Sequence, residues 1–170
     1  PPRSTLSSSS AASDVYKRQG YPTRAEERSI MERFTEGQPV ATANVIGPED
    51  IKRASDVVKS IYLDDKIKKY IVDLVFATRE PNTVGLSDLV PYVQYGASPR
   101  ASQSLFKTGR AAAAVDGRDY VIPDDIKGIA LQIISHRIVM KPEAKIRGIT
   151  GMHIVRKILS EVPVPVIQQG

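Results

Sequence analysis

Six stretches of this chain repeat their apolar residues at three- and four-residue intervals, and each opens on a residue that can start or cap a helix. That recurrence constrains the fold more than any other feature, because an apolar stripe at helical period has to be covered by a neighbouring element. Thr23, with Glu26 three residues on, makes a capping box. The helix it opens covers residues 23–34, with Ile30, Met31 and Phe34 on one side. Pro48 starts a second, with Glu49 and Asp50 in the turn where the helix dipole favours acids. Ile51, Ala54, Val57, Val58 and Ile61 recur along it. Asp64 or Asp65 caps a third, whose buried stripe is Ile67, Ile71, Leu74, Val75 and Thr78, and which stops before Pro81. A fourth runs from Ser98 to about Asp116, with Gly117 as its C-terminal stop. Its alanines 111–114 permit close approach of another helix.

Pro123-Asp124-Asp125 opens a fifth helix carrying Ile126, Ile129, Ala130, Ile133, Ile134 and Ile138. Thr150 begins the last, with Ile154, Val155, Ile158 and Leu159, and Pro163 and Pro165 end it. The intervening segments read otherwise. Residues 37–47 and 141–148 are loops, Leu89-Val90 and Tyr92-Val93 can make a short extended piece, and Tyr120-Val121-Ile122 is a short extended link. The predicted class is therefore all-α, a small bundle of five to six helices. No internal repeat of fixed period is visible.

Composition excludes several kinds of chemistry. The chain has 170 residues and no cysteine, so a disulfide framework and any Cys-based metal or redox site are ruled out. Chains of this size bury about 70% of their unfolded surface, enough for a real core. His136 and His153 stand too far apart for a helical metal pair. No apolar run approaches the ~20 residues of a membrane span, so the expectation is a cytoplasmic protein with no membrane partner. The formal charge is +5. Residues 1–19, Ser/Ala-rich and without periodicity, hold Arg3, Lys17 and Arg18 against Asp14. What remains is a mild basic excess dispersed in both signs, an ordinary solvated surface rather than a phosphate-binding face. Residues 1–19 read as a disordered, non-native leader, the alternative being a disordered linker.

The one placement that goes against local electrostatics is Arg100. Gly96-Ala97-Ser98-Pro99-Arg100-Ala101-Ser102 reads as a flexible turn, an N-cap serine and a first-turn proline. Arg100 then puts a cation at the positive end of a helix, disfavoured by roughly 0.3–1 kcal/mol. A charge-assisted bond to an anion returns about 1.5–3 kcal/mol, and a helix N-terminus is itself an anion site. The plain reading is an arginine bent into solvent or onto a neighbouring carboxylate.

No constellation in the chain carries a reaction by itself. Lys107-Thr108 is the nearest approach to a P-loop, but Phe106 stands where glycine is required and the segment reads as mid-helix. Tyr70-Ile71-Val72-Asp73 fits a helix better than an acidic strand end. His136 reads as a hydrogen-bonded packing residue, and Arg110 and Arg118 as structural cations at the end of the fourth helix.

Gly96 to Ala101 resembles the GASPRA stretch of the MoxR family of AAA+ ATPases. The segment from Ala111 through Gly117-Arg118-Asp119-Tyr120-Val121 to Ile126 is similar to that family's alanine-rich helix, G-R-D-Y-V turn and next helix start. His136-Arg137-Ile138 resembles its H-R-I/L ending, and Gly20-Tyr21-Pro22 with Thr23 to Glu27 resembles the link leaving the nucleotide-binding core. The resemblance covers about Gly20 to Pro165. It implies residues 20–47 as the link from the core with a first helix, 48–165 as a helical lid of AAA+ type, and 166–170 as a tail. It implies that the Walker motifs, the first sensor and the arginine finger lie upstream of Gly20, so that this stretch alone is inactive within an ATP-hydrolysing parent.

The same resemblance implies a second-sensor role for Arg100, the only catalytic assignment. Ser98, Tyr21 and Pro22 are further cofactor-binding candidates, Tyr21-Pro22 at the hinge reading either as part of the adenine site or as a simple connector. The cofactors are ATP and Mg, held mainly by the core, and no metal is assigned to this stretch. The implied partners are that core, neighbouring subunits of a hexameric ring, and proteins with a von Willebrand factor A domain, in chaperone-like maturation. Two alternatives remain: a helical nucleic-acid-binding module, which would need a basic face with salt-steep binding, and a helical protein-interaction module without nucleotide.

Overall fold

The computed structural model describes residues 21–35 and 44–166, except the side chain of Phe34. The expected leader, most of the 37–47 loop and all but the first residue of the tail therefore lie outside the described residues. The chain divides into two compact units, Pro1–Asp50 and Ile51–Gly170.

In the first unit α1 (Arg24–Thr35) begins at the predicted capping box. The Thr23 N–H donates to the Glu26 carboxylate at 2.7 Å, and the Glu26 N–H donates to the Thr23 hydroxyl at 3.3 Å. Those bonds stabilise the ionised acid and hold the Glu26 carboxyl below its ordinary pKa, the backbone bond contributing most. Ile30 and Met31 are exposed.

α2 (Pro48–Ser60) forms where its start signals place it, yet it buries none of its residues. The expected stripe is therefore only partly covered: Ile51 and Val57 face solvent, and Ile61, just past the helix, is buried. α3 (Asp65–Ala77) is capped by Asp64, whose carboxylate accepts the Lys66 N–H at 2.7 Å. Its predicted stripe is buried throughout, together with Tyr70.

Beyond α3 the chain makes two 3-10 turns, Pro81–Val84 and Ser87–Leu89, before strand β1 (Val93–Tyr95). The expected extended piece is thus confined to its second half. α4 (Pro99–Val115) buries Ala101, Leu105, Gly109 and Ala113, one residue per turn. Of the four alanines only Ala113 is fully covered; the close approach falls at Gly109, where a Cβ would stand 2.5 Å from Ile126 Cδ1. Gly117 (φ 72°) is the left-handed stop predicted for this helix.

α5 (Pro123–Ile134) ends earlier than its apolar pattern suggests. A 3-10 turn (Ser135–Arg137) follows, and β2 (Val139–Met140) pairs antiparallel with β1, setting Val93 opposite Met140 and Tyr95 opposite Val139. His136 Nδ1 and Arg137 Nε bond to the carbonyls of Gln132 and Ile133, so side chains satisfy the last turn. Ile138 is buried from an extended backbone instead of a helix. His136 is hydrogen-bonded as expected, but exposed rather than packed.

The 141–148 segment is not all loop, because Pro142 starts a short α6 (Pro142–Ile146) that buries Ala144. α7 (Gly151–Glu161) is capped by the Thr150 hydroxyl, which accepts the His153 N–H at 3.4 Å, and it buries Ile154, Val155 and Ile158. The all-α class holds, with seven α-helices among the described residues and one two-stranded sheet. The core lies where α3, α4, α5 and α7 meet, through Ile67, Leu74, Leu105, Ile126, Ile133 and Ile154.

Two local devices fasten the starts of these helices. Tyr62 donates its N–H to Asp119 at 2.7 Å and accepts the Val121 N–H at 3.0 Å, a parallel bridge joining the approach to α3 with the approach to α5. This gives the predicted Tyr120–Ile122 link its partner. Arg118 grips Asp125 with both terminal nitrogens, at 2.6 and 2.8 Å, and the same carboxylate accepts the Ile122 N–H at 2.8 Å. Hydrogen bonding to Asp125 is the main reason the Arg118 guanidinium holds its proton more tightly than usual. Arg118 is structural, as expected, but through this ion pair. Arg110 stacks over Phe106, 4.5 Å from the ring centre, and donates to the Lys59 carbonyl at 3.3 Å. Among the described residues no helix is long and apolar enough to cross a membrane.

Candidate functional site

The α4 entry is built by the end of α3. Thr78 turns its hydroxyl back onto the Val75 carbonyl at 2.6 Å and accepts the Ala97 N–H at 2.8 Å. Arg79, stacked on Phe76, donates Nε to the Ala97 carbonyl at 2.7 Å. Ala97 is fully buried with both polar groups bonded to Thr78 and Arg79, the two residues that follow α3. Gly96 precedes it because nothing larger fits: a Cβ there would lie 2.5 Å from the Thr78 carbonyl oxygen and 2.6 Å from the Arg79 nitrogen.

The glycine is thus a close-approach residue, not a source of flexibility. Its φ is not among the positive ones. The sequence reading of a flexible turn is corrected accordingly.

From that anchor the chain turns into the helix. Ser98 is extended (φ −77°, ψ 169°), and its carbonyl accepts the Ala101 N–H at 2.8 Å. Its hydroxyl makes no capping bond, contrary to expectation. Pro99 occupies the first helical position as predicted, where its missing N–H costs nothing. Ala101 is buried, which orients the first turn, and Ser98, Pro99 and Arg100 stand exposed.

No described residue gives the Arg100 side chain a hydrogen bond or an ion pair. An unpaired guanidinium at the positive end of a helix is electrostatically unfavourable in isolation, and its planar donors suit an oxyanion. Further along α4, Ser102, Gln103, Phe106 and Lys107 line a groove with Lys68, Ile71 and Val72 of α3. Lys107-Thr108 lies within α4, as its sequence indicated.

Ser98 and Arg100 are neighbours at one helix start. Tyr21 and Pro22 belong to the first unit, where they flank α1 and are exposed. Among the described residues no three His, Asp or Glu side chains gather to hold a metal. The donor set at the α4 entry fits an anion and not a magnesium ion. Sequence reading missed Thr78 and Arg79 as the residues that set this entry. Thr78 was visible only as one more position on an apolar stripe.

This helical arrangement matches a known class. Residues 89–158 match the family described as the AAA lid domain. The chain is also 32% identical to the crystal structure of a putative ATPase from Cytophaga hutchinsonii, with a TM-score of 0.78 over 87% of this chain and 45% of that one. The class is therefore the lid of an AAA protein.

The chain belongs, more narrowly, to the MoxR family of AAA+ proteins. It is 34% identical to the chaperone MoxR1 of Mycobacterium tuberculosis over 155 residues, 89% of this chain and 41% of that protein. It is 41% identical to the uncharacterized protein YeaC of Bacillus subtilis over 150 residues, 88% of this chain and 44% of YeaC. The chain thus spans less than half the length of the curated relatives it matches.

Proposed function

We propose that this chain is the lid of a MoxR-type ATPase and that Arg100 is its second sensor, reaching to the γ-phosphate of ATP bound by a nucleotide-binding core. The observation that carries this reading is the exposed Arg100, unpaired among the described residues, on a turn fastened to α3 through Ala97. Arginine suits the role because its fork stays charged and can bind two phosphate oxygens at once. Contact made with ATP and lost on hydrolysis would make lid angle a report of nucleotide state.

ATP and Mg would be held mainly by the core, with Ser98, Tyr21 and Pro22 as weaker contributors from this chain. In a ring of subunits the rotation passes to the neighbour, and from there to client proteins, those with a von Willebrand factor A domain among them. This extends to the chain the chaperone description carried by its relative MoxR1.

The test is made in the longer protein that includes the core. Arg100→Ala lowers ATP turnover by at least about tenfold, the rate equivalent of 1.4 kcal/mol, and weakens nucleotide-dependent assembly. Arg100→Lys restores only part of the turnover, because an ammonium cannot bind bidentately. Unchanged turnover and assembly in Arg100→Ala would remove the assignment.

A further inference from the structure

One region of the second unit carries exposed apolar side chains beside cationic ones. β1 and β2 set Tyr95 opposite Val139. Next to them the Lys141 N–H donates to the Tyr92 carbonyl at 2.9 Å, and the Lys141 ammonium donates to the Val90 carbonyl at 3.3 Å. The Arg147 guanidinium lies 5.8 Å from the centre of the Tyr92 ring. These contacts join residues 90–95 and 139–147 into one region of the unit. In it Tyr95 is 66% and Ile146 86% exposed, and Val90 and Val139 are exposed as well.

The segment that supplies β2 and α6 is one-sided in charge. Lys141, Lys145 and Arg147 stand against Glu143 alone between residues 139 and 147. We propose that this face docks an acidic segment of a partner protein, one that alternates carboxylates with aliphatic or aromatic side chains. Charge complementarity selects the acids, and the exposed Val90, Tyr95, Val139 and Ile146 select the apolar residues between them.

A single-stranded nucleic acid would need free aromatic faces for stacking. Here Arg147 lies over Tyr92, and three of the four exposed apolar side chains are aliphatic. A membrane surface would be met by a continuous amphipathic helix, whereas α6 has five residues and the strands three and two. The docking face is independent of the role given to Arg100.

The probe is a fluorescent peptide alternating Asp or Glu with Leu, titrated against the full 170-residue chain. Binding is saturable, and a control peptide with Lys in place of the acids does not bind. Lys145→Glu weakens binding by about tenfold and Ile146→Ser by about fivefold, corresponding to 1.4 and 1 kcal/mol, with unfolding transitions unchanged because both side chains are exposed. Arg100→Ala leaves binding unaltered.

The proposal is overturned if binding is absent, if the basic control binds equally, or if both surface variants leave binding intact. It is overturned too if oligothymidylate or phosphatidylserine vesicles compete for the face more strongly than the peptide. Self-association seen by sedimentation and abolished by Ile146→Ser would assign the face to a second copy instead. Failure of the peptide to bind a version carrying the nucleotide core would assign it to that core.

Discussion

At the scale of single residues, the α4 entry depends on one missing Cβ and one buried hydroxyl. Gly96→Ala forces a methyl into the Thr78–Arg79 backbone, which cannot move without disturbing the end of α3. It is expected to destabilise the chain by about 1–3 kcal/mol, read as a lower midpoint in chemical unfolding. Thr78→Val, which keeps the shape and deletes the acceptor of the Ala97 N–H, should cost about 1–3 kcal/mol by orphaning a buried donor. Both residues were visible in the sequence with the wrong job. Gly96 reads as a turn glycine and Thr78 as a stripe residue, because neither label encodes a partner eighteen or nineteen positions away. Arg100 was legible for the opposite reason: its oddity is local, a cation set against a helix dipole.

At the scale of elements, the helices were legible where their start signals are short-range. The Thr23, Asp64 and Thr150 caps all form. Ser98 does not cap; the Ala101 N–H is taken by the Ser98 carbonyl alone. The end of α5 was misread because apolar spacing continues to Ile138 while the backbone turns away to supply β2. Strand pairing between segments more than forty residues apart leaves no periodic trace.

The joint between α4 and α5 is the Arg118–Asp125 pair, whose side chains are 22% and 5% exposed. Arg118→Ala strands a buried carboxylate, and the expected loss is about 3 kcal/mol, measured by urea unfolding. A double variant replacing both partners by apolar residues of similar size should recover much of that loss, because the stranded charge is then gone.

At the scale of the whole molecule, the packing of α7 is reinforced from outside by Lys157, which donates to Asp88 in the second 3-10 turn at 2.6 Å. That hydrogen bond is the main reason the Asp88 carboxyl lies below its ordinary value of 3.8. A carboxyl depressed in the folded state contributes stability that is complete above its unfolded pKa and disappears as pH falls through its folded one. Asp88→Asn should therefore lower stability at neutral pH and narrow the difference from the parent chain as acid is added, followed by unfolding midpoints from pH 7 to pH 2. The bundle class was legible at this scale because four stripes, on α3, α4, α5 and α7, point to one core. The open face of α2 was not, since periodicity reports that a helix has an apolar side and never whether anything lies on it.

The clamp on Ala97 has a mechanical corollary. With its N–H and its carbonyl both spoken for, the residue leaves no slack between the α3 terminus and the first turn of α4. A tug delivered three positions later, at the tip of Arg100, would travel into the bundle as through a bolted crank instead of being absorbed by a slipping loop.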